Sequence, residues 1–506
     1  MRKIVCALVI LIGFISCKNE KSSTSAEKQK TNTVPNIVII NFDDLGYGDV
    51  SFNGSKTIQT PNMDSLALNG VRFTNAYAAS ATCTPSRYSL LTGIYPWRKE
   101  KAKILPGNAP LLIDTSRVTL PKMLQNSGYT TGIVGKWHLG LGSGDINWNA
   151  QIQPGPNEVG FDYSYILAAT QDRVPTVYIK NGYVVGLDKN DPIEVNYKEN
   201  FEGEPTALSN PEMLKMKWEH GHNNSIVNGI PRIGFMKGGD TAKWNDEEMA
   251  NVFLKEAQNY VKTNKKKPFF LYYALQQPHV PRTPNPKFVG TSGMGPRGDV
   301  IKEADWCIGE FIKTLKEEGM LENTLIVLTS DNGPVLNDGY YDDAVEKVGN
   351  HKPWGDFRGG KYSMYEAGTR VPFFTYWKGK IKPGVSNALF CQTDLFSSLA
   401  QLVKSNEKAK DSEALLPVLM GESTHGREQL TLQGSLGTFF RKGDWAMIPP
   451  SKGPKLFKNV NIESGASDKY QLYNLKEDIG EQNNLSEKYP DKLEELKKEY
   501  QNSLAE

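Results

Sequence analysis

Four short apolar runs, at residues 37–40, 131–134, 269–274 and 325–329, constrain the fold most. Each has the length of a strand and is continuously apolar, the pattern of strands buried on both faces. Helical periodicity lies between them, as over 246–263 and 299–318. Strands alternating with helices predict an α/β fold with a large, mainly parallel sheet sandwiched by helices. In such sheets ligands bind beyond the carboxyl ends of the strands. The four runs end on Asp43-Asp44, on Lys136 and His138, on His279, and on Asp331-Asn332. One such ending is ordinary turn chemistry; four of them predict a site.

The chain has 506 residues, enough for one large domain and a smaller one. A formal net charge of +2 and the absence of a long Lys/Arg block exclude a nucleic-acid partner on electrostatic grounds. Arg2 and Lys3 precede an apolar stretch over 5–15 that is short for a membrane span and reads as an export signal. It ends in Ser16-Cys17, and a polar stretch follows over 18–33. A small residue before Cys resembles a bacterial lipoprotein site, which would place a lipid on Cys17 and a flexible tether after it. Simple secretion is the alternative. The expected location is periplasmic or cell-surface. The predicted organisation is a signal over 1–17, a tether over 18–33, a catalytic domain over 34–420 and an α+β subdomain with an antiparallel sheet over 421–506. Strands are expected there at 430–433, 445–448 and 470–475, and a charged helix at 490–505. The Gly-, Pro- and Asn-rich segment 140–243 reads as long loops over the active edge.

Three of the five cysteines, Cys83, Cys307 and Cys391, lie beyond the signal region. An odd number in an exported chain suggests one thiol with special chemistry; Cys307 follows Trp306 in a helical pattern and Cys391 follows Phe390, and both read as buried structural thiols. Cys83 opens Cys-Thr-Pro-Ser-Arg-Tyr-Ser-Leu-Leu-Thr-Gly. A helix starting near Pro85 would set Cys83 at its N-terminus, where an anion is favoured.

The Cys83–Gly93 segment matches a known signature, and the chain resembles the type I, formylglycine-dependent sulfatases of the alkaline phosphatase superfamily. The resemblance implies oxidation of Cys83 to formylglycine by a maturation enzyme, then hydration to a geminal diol. One hydroxyl attacks sulfur and the other helps expel sulfate, a covalent route with a built-in exit. It also implies calcium on Asp43, Asp44, Asp331, Asn332 and the residue made from Cys83; four oxygen-bearing side chains without Cys or His neighbours suit Ca²⁺ or Mg²⁺ rather than zinc. Arg87 would steady that residue. Lys136, in Gly-Lys-Trp-His-Leu-Gly, would contact sulfate, and His138 would take the diol proton. His279 and Lys361, the latter in Arg-Gly-Gly-Lys, would act on the leaving alcohol and help bind substrate. A sulfated carbohydrate is the expected substrate, with a tilt to galactose-type sugars from the form of the insert over 172–243. A phosphodiesterase or phosphonate monoester hydrolase with the same nucleophile, or a glycan-binding lipoprotein without activity, are the alternatives. Asp172, Arg173, His220, His222, His351 and Asp356 are further candidates for substrate contact, with surface positions the alternative.

Overall fold

A computed structural model describes residues 34–505, and within it all four apolar runs are strands of one sheet. They span Asn36–Phe42, Thr130–Lys136, Phe269–Ala274 and Thr324–Ser330. With Tyr163–Leu167 they form a parallel centre in the order 324–330, 36–42, 269–274, 130–136, 163–167. The register brings their carboxyl ends level: Asn41 lies opposite both Ala274 and Thr329, and Ala274 lies opposite Gly135. Shorter strands extend both edges, with Phe374–Tyr376 antiparallel on one side and Tyr178–Lys180 antiparallel on the other. The result is the mainly parallel sheet predicted from the runs.

Successive strand residues face opposite sides. Ile37 and Ile39 therefore enter one core, and Val38 and Ile40 the other. The first core is closed by helices Cys83–Thr92, Leu120–Asn126 and Leu395–Leu402. The second is closed by Pro61–Leu68, Met249–Thr263 and Gly295–Glu317. Both faces of the central strands are thus covered, as their unbroken apolar sequence requires.

The segment 140–243 differs from expectation. It is not loop throughout: Tyr163–Leu167, Tyr178–Lys180 and Tyr183–Val184 are strands of the main sheet. Tyr163–Leu167 owes its conformation to parallel pairing with Thr130–Lys136, a long-range contact that outweighs its weak local pattern. The C-terminal part holds a four-stranded antiparallel sheet of Gln429–Gly434, Gly437–Lys442, Trp445–Ile448 and Gln471–Asn474, with helix Pro490–Ala505 against it. The unpredicted strand Gly437–Lys442 carries Phe439 and Phe440 in succession, so it shows no alternation. Phe439 joins a core shared with Tyr77 and Met364, whereas Phe440 packs under the helix with Leu496. The expected signal and tether lie outside the described residues.

Candidate active site

Asp43 and Asp44 leave the central strand Asn36–Phe42 at its carboxyl end, and Asp331 and Asn332 leave its neighbour Thr324–Ser330. All four are buried. Asp44 turns the chain with φ of 64°, a left-handed conformation that is costly outside glycine and is held here by its surroundings. Gly333 follows Asn332 where a Cβ would lie 1.7 Å from the Ala367 carbonyl, so only glycine lets that loop close over the site. Carboxylate oxygens of Asp43, Asp44 and Asp331 lie within 4.8 Å of one another.

Cations answer this charge. Lys136 Nζ donates to Asp43 Oδ2 at 2.6 Å, and Lys361 Nζ donates to Asp44 Oδ2 at 2.8 Å and to Asp338 Oδ2 at 2.7 Å. Arg87 Nε donates to Asp331 Oδ2 at 2.7 Å, and its Nη1 to the Lys136 carbonyl at 3.1 Å. Burial alone would push Asp44 up, but Lys361, His279 and Lys136 outweigh it and hold the carboxyl far below the usual range. Asp331 goes the other way: burial, reinforced by Asp43 and Asp44, raises it despite Arg87 and Lys136.

Cys83 is the first residue of the buried helix Cys83–Thr92, which Gly93 ends at φ of 64° with its N–H on the Ser89 carbonyl. The first-turn N–H groups of a helix are free to face a ligand. Burial pushes the Cys83 thiol up to about 12. It is therefore a poor thiolate, and an unmodified thiol would be a weak nucleophile at neutral pH. Cys83, Asp43 and His279 bring ligand atoms within 4.8 Å of one another.

Two histidines each have one ring nitrogen held as a donor by a backbone carbonyl. His138 Nε2 lies 2.9 Å from the Leu105 carbonyl, which can only accept, so Nδ1 keeps its lone pair and has no partner. Burial, with Lys136 nearby, pushes His138 well below its ordinary value. His279 Nδ1 donates to the Val280 carbonyl at 2.7 Å, which leaves Nε2 facing the site, 3.8 Å from Asp44 Oδ2.

A cavity of about 590 Å³ opens over these groups. Cys83, His138, His279 and Lys361 line it, together with Asp172, Arg173, His220 and His222. His222 Nε2 meets Asp172 Oδ2 at 2.8 Å, and Arg173 Nη1 donates to Asp172 Oδ1 at 3.0 Å. Burial would raise Asp172, but Arg173 and His222 hold it well below the carboxylate range. His351 and Asp356 do not line this cavity. His351 is buried against Asp49 at 2.8 Å, and Asp356 is an exposed partner of Lys352 at 3.3 Å.

A family model described as Sulfatase matches residues 35–405. The chain belongs to the sulfatase family. It is 47% identical over 501 residues to an N-acetylgalactosamine-6-O-sulfatase of Bacteroides thetaiotaomicron, with 98% of both chains covered. It is 32% identical over 408 residues to arylsulfatase A of Homo sapiens, covering 78% of this chain and 70% of the relative. A solved sulfatase structure, described with the metabolism of multiple glycosaminoglycans by Bacteroides thetaiotaomicron, aligns with a TM-score of 0.92 at 48% identity. That alignment covers 93% of this chain and 99% of the other. The protein is accordingly a sulfuric ester hydrolase of the type I sulfatase family with the alkaline-phosphatase-like fold.

The sulfatase site fits a hard cation. Asp43 Oδ1 and Asn332 Oδ1 are buried oxygens without a hydrogen-bond donor, and Asn332 spends its amide N–H on Asp44 Oδ1 at 2.7 Å and on the Gly333 carbonyl. Buried acceptors left open in this way are expected to meet a ligand. Sequence reasoning missed Asp338 and Tyr362. Tyr362 Oη donates to Asp338 Oδ1 at 3.0 Å, and both line the cavity. Asn337-Asp338-Gly339 reads as a turn, so nothing local marks Asp338 as the second anchor of Lys361.

Proposed function

We propose that this sulfatase removes the 6-O-sulfate of an N-acetylgalactosamine-type sugar, using a formylglycine made from Cys83 by a maturation enzyme and a calcium ion held by Asp43, Asp44, Asp331 and Asn332. One observation carries the chemistry. Asp43 Oδ1, Asn332 Oδ1, Arg87 Nη2 and His138 Nδ1 are all buried and unpartnered; Asp43 has an oxygen within 4.8 Å of the Cys83 sulfur, His138 lines the cavity with Cys83, and Asn332 and Arg87 are bonded to Asp44 and Asp331 respectively. Two acceptors, a cationic donor and a base left open together suit a cation and an anionic reacting group. The sugar rests on the 47% identity to the N-acetylgalactosamine-6-O-sulfatase and on the Asp172, Arg173 and His222 cluster, whose donors and acceptors suit ring hydroxyls.

Formylglycine supplies a hydrated aldehyde in place of a thiol, and calcium supplies positive charge beside it. The protein's own groups do the rest. Lys136 and Lys361 present ammonium groups to the sulfate oxygens, where negative charge must be stabilised during transfer. Arg87 holds Asp331 in place and keeps Nη2 for the nucleophile. His138 Nδ1 accepts a proton, since Nε2 is held as the donor and burial keeps the ring neutral. His279 Nε2, with Lys361, faces the bridging oxygen of the leaving alcohol.

The test is sulfate release from 6-sulfated N-acetylgalactosamine and galactose, set beside their 4-sulfated isomers and an aryl phosphate. Preference for the 6-sulfated sugars is expected; faster cleavage of the phosphate would favour the phosphodiesterase. Mass spectrometry of the Cys83 peptide should find the aldehyde, and an unmodified thiol in active enzyme would overturn the nucleophile. Export with a lipid on Cys17 belongs to the same reading. Fatty-acid labelling should vanish in Cys17→Ala, and unlabelled wild type in the medium would favour simple secretion.

A further inference from the structure

We infer that a second cavity beside the reacting one holds the sugar next to the sulfated residue, so that the substrate is an oligosaccharide read over at least two rings. This rests on the proposed carbohydrate substrate. The cavity has a volume of about 330 Å³, at the small end of ligand pockets at roughly 300–1,000 Å³.

The two cavities are lined by neighbouring residues of the same segments. Glu219 faces the second cavity and His220 the first; Asn337 faces the second and Asp338 the first. The tip of the hairpin between Leu456–Phe457 and Ile462–Glu463 contributes Lys458, Asn459 and Val460 to both. Asn337 Nδ2 donates to Glu219, which ties two of these segments together. Tyr340 of the second cavity packs its ring 4.4 Å from that of His222 in the first. The Pro334 carbonyl of the second accepts the Lys361 N–H at 2.9 Å. A ligand filling both cavities would run past the hairpin tip, whose residues line both.

The lining chemistry is that of a sugar site. Tyr341 is 59% exposed, and the Trp354 ring is half-buried. Their phenol and indole groups make no hydrogen bond among the described residues, nor do the side chains of Asn459 and Asn461. Flat aromatic faces with polar edges suit the C–H face and the hydroxyls of a ring. Charge does not select the ligand. Asp342 is paired with Arg282 and Asp343 with Lys347, Glu219 accepts from Asn337, and Glu346 and Lys458 have opposite sign, so no excess of cations faces the ligand. The recognised group is therefore a sugar ring rather than a further anionic substituent.

The test is calorimetric binding to the full-length chain carrying Cys83→Ala, in which the ligand survives. The ligands are 6-sulfated N-acetylgalactosamine alone and the same sugar joined to a second hexose. The disaccharide should bind at least about tenfold more tightly, and Tyr341→Ala or Trp354→Phe should bring that ratio towards one. Equal affinity for the two ligands, no binding of either, or a ratio that neither variant changes would overturn the inference. Turnover is measured separately on the matured enzyme. A lack of sulfate release there would sink the proposed reaction while leaving the binding ratio to decide the second cavity.

Discussion

Asp49 shows how a single buried carboxylate can explain a histidine that looked functional. It receives Arg297 Nη1 at 2.7 Å and Nη2 at 2.6 Å, and His351 Nε2 lies at 2.8 Å. Burial would raise this carboxyl, but Arg297 and His351 bring it down to about 2. Its folded value is depressed, so its contribution is present above the ordinary carboxylate range and is lost as pH falls towards about 2. Asp49→Ala should cost roughly 3–5 kcal/mol, because it strands a buried guanidinium. Denaturant unfolding at pH 7 measures this, and a loss under about 1 kcal/mol would contradict the burial. Cys83→Ala should lower sulfate release by at least about 1,000-fold with the melting temperature preserved. Activity within tenfold of wild type would exclude Cys83 as the source of the nucleophile.

Helix Gly295–Glu317 carries a titration of the opposite sign. Glu303 is buried on this helix, and its carboxylate accepts the Asn285 N–H at 3.2 Å. Burial, with Glu248 nearby, pushes Glu303 up to about 8. The folded state therefore holds a proton that the unfolded chain releases near 4.5. Stability is full below that value and falls as pH rises towards about 8. Glu303→Gln keeps the accepting oxygen and removes the ionisation. It should be more stable than wild type by a few kcal/mol, to order of magnitude, at pH 9 and indistinguishable from it below pH 5. Parallel stability curves across that range would rule the account out.

At the scale of the whole molecule, the C-terminal sheet and the α/β core are one packed body. Leu430, Leu432 and Phe439 share a hydrophobic cluster with Tyr77, Tyr95 and Met364, and Arg441 reaches Glu366 at 3.2 Å. The described residues form one compact unit. Heating should therefore give one cooperative transition, and two separated ones in calorimetry would show independent domains. Chelation tests the open oxygens of Asp43 and Asn332. A cation at about 100 times its Kd stabilises the fold by about 2.7 kcal/mol. EDTA should lower the melting temperature by several degrees and abolish activity, and calcium should restore both. A melting curve that EDTA leaves unchanged would remove the ion from the fold.

The sequence by itself determined the parallel centre and the groups at its ends. An unbroken apolar run must be buried on both faces, and the residues after it must emerge at the sheet edge. Residues 37–40 and 325–329 therefore announced both the strands and the places of Asp43-Asp44 and Asp331-Asn332. Cys83 was legible because its neighbours through Gly93 match a long motif. Only the tertiary structure decided the rest. Tyr163–Leu167 is a strand because Thr130–Lys136 pairs with it, and Gly437–Lys442 buries Phe439 and Phe440 on opposite sides of one sheet. Asp338 joins Lys361 across 23 positions through a loop closure that no local pattern encodes. His351 and His222 look alike in sequence, yet one sits in a buried ion cluster and the other lines the cavity. Periodicity reports which face of an element is buried; which distant side chains meet is set by the packing of the elements.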